Sequence, residues 1–300
     1  MSYFYYIHGL HFDSDIQFYE TDELLVSGYS QPDVIIRNNK QLESESDSLS
    51  EYNLLFSKKK ILFRTDTGIF SVEDGCRIYY SPVQGASNYL LSGFITGWCM
   101  CYLFHQRNTI CIHSSALSYN GKYFLVSGNS GAGKSTTAMN LIKRGCKYLT
   151  DDISFVSSND NYMVYPGLPI QKICKDAVSS IKNRCNLFYV DDMKDKYALI
   201  DKENFDESNG KISVMFWLET GEASKVKHEE IKGFDKVNVF LGALYMTQFF
   251  KETFFPINVK AECLKISGSI RVVCITRPAD IDTTDDICSI IESYLESDTV

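Results

Sequence analysis

The chain lacks an excess of basic residues: Asp and Glu number 38 against 30 Lys and Arg, and the formal net charge is −8 at pH 7. The field of the whole molecule therefore does not attract nucleic acid or an anionic membrane surface, and any phosphate binding has to be local. The first residues, MSYFYYIHGLHFDSD, carry no basic segment followed by an apolar one, as a secretion signal would. No run reaches the roughly 18 apolar residues of a membrane-spanning helix. We expect a cytoplasmic protein with no nucleic-acid partner and no membrane partner.

A zinc site is missing as well. The ten cysteines are scattered along the chain, and the close pair Cys99 and Cys101 lacks both the two-residue spacer and the second ligand pair of such a site. We interpret them as reduced, buried thiols of a cytosolic protein. With 300 residues, 44% of them hydrophobic, the chain can bury a large core in one or two domains.

The sequence changes character near residue 85. Residues 1–85 contain short β-rich runs, YFYYIHGL, DVIIR, KKKILFR and RIYYSPV, separated by polar turns and by an acidic stretch, NNKQLESESDSLSEYN, that is typical of an exposed loop. We predict a β-rich N-terminal module over 1–85 and an α/β domain over 86–300. The second region begins with an apolar helix, YLLSGFITGWCMCYLFHQR, and contains the strand candidates KYLTDDISFV, YALID, SVMFWLE and RVVCITR, with helices near 236–250 and 285–295.

A hairpin leads into the most informative part of the chain. ICIHSSAL and YFLVSG are apolar runs on either side of Asn120-Gly121, a dipeptide that favours a tight turn. After a glycine-rich loop, Ala138, Leu141 and Ile142 repeat at helical spacing, and Gly145 ends that pattern. The sequence therefore predicts strand, loop and helix in immediate succession.

The loop between strand and helix fits G-x-x-x-x-G-K-[ST] at every fixed position. Its glycines allow backbone N–H groups to point inward, and the helix N-terminus adds its positive dipole to the same anion site. Lys134 would reach the β- and γ-phosphates of a nucleotide, and Ser135 offers a hydroxyl to Mg²⁺. The predicted nucleotide-binding residues are Gly128, Asn129, Ser130, Gly131, Ala132, Gly133, Lys134, Ser135 and Thr136.

Two adjacent carboxylates, Asp151 and Asp152, end the strand candidate that follows this helix. Ligands of α/β sheets gather at the carboxyl ends of strands, so these side chains should face the phosphates. Adjacent strand residues point to opposite faces, and only a bend would bring both to the nucleotide. We expect one to bind metal, with Asp152 and Ser135 as the metal ligands, and one to accept the proton of an attacking hydroxyl; which aspartate is the base stays open.

His113 is placed by hairpin register. If Asn120 and Gly121 are the central turn residues, Tyr119 pairs with Lys122 and His113 lies opposite Gly128. An imidazole there would support the loop, contact phosphate when protonated, or tune a carboxylate. A purely structural histidine is the alternative.

The stretch IHSSALSYNGKYFLVSGNSGAGKSTTAMNLIKRGCKYLTDDISFV resembles the catalytic core of the HPr kinase/phosphorylase superfamily. The likeness combines the strand histidine, the G-x-S-G-x-G-K-S type loop, a helix ending in Lys-Arg-Gly and the paired aspartates. YYIHGLHFDSDI, HQRNTICIHSSA and YPGLPIQKICKDA also look like HPr-kinase-like proteins found beside ribosomally made peptides such as lasso peptides. The long N-terminal domain of the HPr enzymes is replaced by the β-rich segment, and their C-terminal signature for phosphorylase activity is not matched.

The resemblance implies a phosphoenolpyruvate-carboxykinase-like P-loop core of mixed sheet and helices, with ATP and Mg²⁺ as cosubstrates. It also implies phosphorylation of a serine hydroxyl on a peptide or protein. Lys134, Asp151, Asp152 and His113 match the family's catalytic positions. Arg107 and Lys196 fall where similar proteins carry basic residues, and each either neutralises transition-state charge or is an exposed helix-end cation or a salt-bridge partner.

Three functions remain open at this stage. The leading one is an ATP-dependent serine kinase acting on a peptide or protein, and a precursor peptide is one candidate acceptor. The same loop and aspartates would serve a small-molecule hydroxyl kinase, because the acceptor pocket is what differs. A nucleotide-sensing module without transfer is the third. Acceptor identity, ATP against GTP, phosphorylase activity and a homo-oligomeric state are left open.

Overall fold

The computed structural model describes residues 1–29, 31–49, 54–57, 59–174, 178, 187–191, 196–222, 224–245 and 257–297. The strands, in chain order, are β1 (Tyr3–Ile7), β2 (Leu10–Ser14), β3 (Val34–Asn38), β4 (Leu54–Phe56), β5 (Lys60–Arg64), β6 (Gly68–Glu73), β7 (Arg77–Pro82), β8 (Ile110–Ile112), β9 (Ser114–Tyr119), β10 (Lys122–Gly128), β11 (Lys147–Thr150), β12 (Ser154–Val156), β13 (Met163–Val164), β14 (Ile170–Cys174), β15 (Leu187–Asp191), β16 (Lys196–Ile200), β17 (Gly210–Thr220), β18 (Lys227–Ile231) and β19 (Arg271–Arg277). The α-helices are α1 (Leu42–Glu45), α2 (Asn88–Phe94), α3 (Met100–Gln106), α4 (Lys134–Lys143), α5 (Asp235–Ala243), α6 (Ile257–Ser269) and α7 (Thr284–Glu296).

The chain forms two compact units, residues 1–108 with 172–200 and residues 109–171 with 201–300. Both contain strands and helices, and the second mixes parallel with antiparallel strand pairs, so the predicted α/β class is confirmed. Among the described residues, no helix is both long and apolar enough to cross a bilayer.

The first unit is built on a seven-stranded sheet in the order β1-β2-β3-β7-β6-β5-β4. Helices α2 and α3, joined by a π-helical turn, pack on it through aromatic side chains, with ring centroids 5.5 Å apart for Phe70–Phe94 and for Phe63–Tyr102. Phe70 is fully buried. This packing explains why residues 86–108 group with the N-terminal sheet in the first unit.

The second unit has a six-stranded path, β11-β9-β10-β17-β19-β18, with β13 also paired to β17. Strands β10, β17 and β19 run parallel in its centre. Ile212 to Leu218 are almost all buried on both faces of β17, as expected for a central parallel strand that is covered by helices on either side.

Two layers of helices cover this sheet. On one face α4 and α7 contribute Leu141 and Ile291 to a core with Val273. On the other, α5 and α6 contribute Phe240 and Ile266 to a second core. The alternation of side chains along each central strand supplies both cores, since successive residues point to opposite faces.

Several local expectations need correction. KYLTDDISFV is two strands, β11 and β12, because the chain turns at Asp152, whose φ is 69°. The acidic stretch contains α1, since Leu42 is buried and anchors a helical turn where a loop was expected. Helix α5 is shorter than the predicted 236–250, and residues 246–250 lie outside the described part of the chain. Helix α6 was not predicted.

Candidate active site

The glycine-rich loop joins β10 to α4 as the sequence predicts. Gly128 ends the strand with φ of 143°, and Gly133 precedes the helix with φ of 100°. A Cβ atom on Gly128 would lie only 2.1 Å from the backbone oxygen of Leu218 on β17. Any other residue here would have to displace the neighbouring strand, because β17 leaves no room for a side chain.

The start of α4 offers the donors and hydroxyls of an anion site. The first backbone N–H groups of a helix, here from Lys134 onward, have no partner within the helix. Lys134 folds back over the loop, where its Nζ donates to the carbonyls of Gly128 at 2.9 Å and Asn129 at 3.1 Å. Ser135 and Thr136 are exposed in the first turn. Ala132 differs from its neighbours, since its side chain is buried in the core.

The hairpin places His113 beside this loop. β9 and β10 pair from Lys122↔Tyr119 to Ser127↔Ser114, so the predicted register is confirmed over those six pairs. The predicted strand ICIHSSAL is two strands, β8 and β9, interrupted at His113, and Gly128 pairs with Leu218 of β17. His113 is the next residue beyond the last pair. Its carbonyl accepts a hydrogen bond from the Ser127 hydroxyl at 2.8 Å, and its own N–H donates to Ala243 at 2.7 Å.

His113 and Asp152 form a pair, with Nε2 and Oδ1 3.2 Å apart. The carboxylate is largely buried while the imidazole is partly exposed, at 15% and 37% of their side-chain surfaces. Asp152 adopts a left-handed φ of 69°, a conformation that costs roughly 1–3 kcal/mol away from glycine and concentrates at functional sites, although aspartate tolerates it better than most residues.

Asp151 turns a different way. Its Oδ1 accepts a hydrogen bond from the Ser115 hydroxyl at 3.0 Å, and its carbonyl accepts one from Ile153 at 2.9 Å. The bend at Asp152 therefore lets neighbouring carboxylates take separate partners on one edge of the sheet. A continuous strand would have sent them to opposite faces.

Buried hydroxyl groups form hydrogen bonds around the turn at Asp151 and Asp152. Ser154 Oγ lies 2.8 Å from Thr150 Oγ1 and accepts from Ser114 Oγ at 2.9 Å, while Thr150 Oγ1 accepts from the Ala116 N–H at 3.2 Å. Hydrogen-bonded networks of this kind hold a backbone in one conformation, because breaking any member leaves a buried polar group unsatisfied. The two carboxylates therefore lie on a turn whose backbone is held by buried hydrogen bonds.

The residues present suit Mg²⁺ and a nucleotide. Mg²⁺ is normally held by one or two protein oxygens together with substrate phosphates and waters, and the Ser135 hydroxyl and the aspartate carboxylates are ligands of that type. Among the described residues no group of three or more His, Cys, Asp or Glu side chains could hold a metal ion.

No protein-family model matches the chain. Two curated relatives, both named HPr kinase/phosphorylase and both from strains of Treponema pallidum, are each 39% identical to it over 61 residues. The matched stretch is HPr-kinase-like. It covers 20% of this chain and 19% of each relative's length. The chain therefore matches about a fifth of the length of these relatives.

A solved structure of the Hpr(Ser) kinase/phosphatase from Coxiella burnetii also matches. The alignment covers 62% of this chain and 93% of that chain, with 14% sequence identity and a TM-score of 0.30.

Two further cations considered from the sequence lie in the first unit. Arg107 follows α3, and its Nη1 donates to the carbonyl of Gly75 at 2.7 Å, a contact that fixes the end of the helix to the β6–β7 turn. Lys196 begins β16. The interpretation of Arg107 as a helix-end cation is the one that this geometry favours.

Sequence reasoning missed three residues around the loop. Ser115 holds Asp151, the ring of Tyr245 lies edge-on to His113 with centroids 5.6 Å apart, and Arg277 approaches Gly133. Ser115 is two residues after His113, and alternation along a strand would have placed both side chains on the same face. Nothing in the sequence pattern points to Tyr245, because it reaches the histidine through a bridge between Ile112 and Leu244 that joins distant segments.

Proposed function

We propose that this chain is a Mg-ATP-dependent kinase that transfers the γ-phosphoryl group to a serine or threonine hydroxyl of a peptide or protein. The observation that carries the proposal is the pairing of His113 with Asp152 beside a complete G-x-x-x-x-G-K-S loop. A phosphate-binding loop alone fits many nucleotide-binding proteins. A partly buried carboxylate with a histidine partner adds the acid-base chemistry that hydroxyl-directed transfer needs.

Each residue has a role in this proposal. The backbone amides at the start of α4 and the ammonium of Lys134 bind the nucleotide phosphates. Ser135 and Asp152 would hold Mg²⁺, which neutralises charge on the phosphate oxygens during transfer. Either Asp151 or Asp152 accepts the proton of the acceptor hydroxyl. His113 orients the Asp152 carboxylate through the contact between its Nε2 and Oδ1.

The proposed class of acceptor rests on the resemblance to other proteins and not on the geometry of the site. The curated relatives carry the name HPr kinase/phosphorylase, and the resemblance of several segments to kinases found beside ribosomally made peptides favours a precursor peptide. The loop and the aspartates would have the same form with a small-molecule acceptor. The choice is therefore tested directly on acceptors.

The test is phosphoryl transfer from γ-labelled ATP in the presence of Mg²⁺ to a panel of serine-bearing peptides, including any precursor peptide encoded nearby. Wild type is compared with Asp151→Asn, Asp152→Asn and Lys134→Ala. The matched control is Asp286→Asn, which removes an exposed carboxylate from the first turn of α7. We expect transfer by wild type and the control, and loss of at least about 100-fold in the other three.

Other outcomes redirect the assignment. Tight ATP binding with labelling of metabolites but not of peptides would indicate a small-molecule kinase. Binding with no transfer to any acceptor would indicate a nucleotide sensor. Undiminished transfer by Asp151→Asn and Asp152→Asn together would contradict the mechanism.

A further inference from the structure

Arg277 lies at the sheet edge from which the phosphate loop emerges. β10 pairs in parallel with β17, with Gly128 opposite Leu218, and β17 pairs in parallel with β19, with Leu218 opposite Ile275. Arg277 is two residues beyond Ile275 and ends its strand. The carboxyl ends of three parallel strands thus place the loop and this arginine side by side.

Its side chain points to the face that α4 occupies. Val273 and Ile275 belong to the core under α4, and alternation along the strand sends Arg277 to the same face. The close approach of the two residues agrees with this direction, since a Cβ atom on Gly133 would lie 3.3 Å from Arg277 Nη1. One nitrogen of the guanidinium therefore rests against the loop, at the N-terminal end of α4.

The other nitrogens are engaged elsewhere. Nε donates to the carbonyl of Pro278 at 3.1 Å and Nη2 to that of Ala279 at 3.2 Å. These bonds to the following backbone fix the plane of a partly buried guanidinium and leave Nη1 directed at Gly133. Because arginine cannot be deprotonated in a protein, the full charge stays at this position.

No carboxylate within the described residues forms an ion pair with Arg277. The pKa of Asp282 is lowered first by hydrogen bonds from the Thr284 hydroxyl and N–H and then, more weakly, by the charge of Arg277. Asp282 is exposed. Arg277 therefore keeps a positive charge that no carboxylate in the described part of the chain pairs with.

This placement is electrostatically unfavourable unless an anion is bound. The N-terminus of a helix carries roughly half a positive charge, and cations stabilise helices at the opposite end. Arg277 and Lys134 both lie at the positive end of α4. Guanidinium groups bind phosphate oxygens through paired, charge-assisted hydrogen bonds, so a polyphosphate would satisfy all three positive groups.

We propose that Arg277 binds the phosphate chain of the nucleotide, as a cation supplied to the loop by a separate strand. The inference rests on the proposed nucleotide site and adds to it a residue outside the glycine-rich motif. It assigns to Arg277 a preference for nucleotides with more phosphates. A guanidinium that merely fixed the loop after β19 would show no such preference.

The test is calorimetric titration of the whole chain with MgATP, MgADP and AMP for wild type, Arg277→Ala and Arg277→Lys. Arg271→Ala is the matched control, because Arg271 begins the same strand and pairs with the exposed Glu230 at 3.0 Å. We expect the Kd for MgATP to rise about 10- to 100-fold in Arg277→Ala, the effect of losing hydrogen bonds to a charged group. The rise should be smaller for MgADP and AMP and intermediate in Arg277→Lys, with no change in Arg271→Ala.

The outcomes separate this inference from the proposed function. Wild-type affinity for MgATP in Arg277→Ala overturns the inference, as does an equal loss for all three nucleotides together with a lower melting temperature. If Arg277→Ala fails to fold, Arg277→Lys decides, since it keeps the charge and loses the planar fork. Nucleotide binding without transfer by wild type removes the kinase proposal and leaves the arginine assignment standing, whereas absence of nucleotide binding removes both.

Discussion

Replacing Gly128 by alanine tests how closely β17 approaches the phosphate loop. The new Cβ would lie 2.1 Å from the Leu218 oxygen and 2.8 Å from its carbonyl carbon, far inside contact distance. The clashing atoms belong to the backbone of a central strand, so no change of side-chain rotamer can relieve the clash. Overpacking of this kind costs roughly 1–3 kcal/mol, and holding alanine at φ of 143° adds roughly 1–3 kcal/mol. We expect a loss of about 3 kcal/mol or more.

The measurement is thermal unfolding, followed by nucleotide titration. A loss of about 3 kcal/mol corresponds to a fall in melting temperature of about 6–12 °C for a unit of this size. Displacement of the strand would also break the hydrogen bond from the Asn129 N–H to the Leu218 oxygen, 3.1 Å in the native loop. We therefore expect weaker nucleotide binding alongside the lower melting temperature.

Gly131→Ala is the matched control. Gly131 also has a positive φ, 79°, but a Cβ there meets no atom within 4 Å, so only the conformational cost of about 1–2 kcal/mol applies. A Gly128→Ala variant that melted within a degree of wild type, or no lower than Gly131→Ala, would refute the close approach of β17.

The remaining predictions concern a hydroxyl, a carboxylate and a thiol. Ser115→Ala removes the hydroxyl that orients Asp151, and kcat should fall about 10-fold with little change in KM for ATP; an unchanged kcat would show that this hydrogen bond does not matter. Burial alone would raise the pKa of Asp206, but hydrogen bonds, led by that from Ser118, leave it lowered. Its stabilising effect is therefore present above the unfolded pKa of about 3.9 and lost as pH falls through the folded value. Asp206→Asn should melt below wild type at pH 7 and converge with it near pH 2, and a pH-independent gap would contradict this. Burial raises the pKa of the Cys146 thiol to about 12, so iodoacetamide at pH 8 should label it only after unfolding, and rapid labelling of the native protein would be the opposite result.

The hairpin before the loop could be predicted residue by residue. Asn120 and Gly121 adopt φ of 48° and 76°, which is the geometry their sequence favours in a two-residue turn. Once that turn is fixed, strand periodicity determines the pairs from Lys122↔Tyr119 to Ser127↔Ser114, and His113 comes directly after the last of them. The prediction worked because all of its information is local.

Asp151 and Asp152 can both face the nucleotide only if the strand bends, but the sequence does not show where that bend lies. Asp151 and Asp152 lie within an apolar run that has the pattern of one strand. The turn is held by hydroxyls of Ser114 and Ser154, which are 40 residues apart in the chain. A sequence pattern records which residues are apolar and does not record which distant hydroxyls meet.

The amino-acid sequence by itself determined the mixed α/β class, the strand, loop and helix around Gly128 to Ser135, and the hairpin register, because each depends on local periodicity and turn chemistry. Only the tertiary structure decided that residues 86–108 pack with the N-terminal sheet, that the two aspartates take separate partners, and that Arg277 reaches the loop. Those features depend on strand order and on contacts between segments that are distant in the sequence, which the folded chain alone brings together.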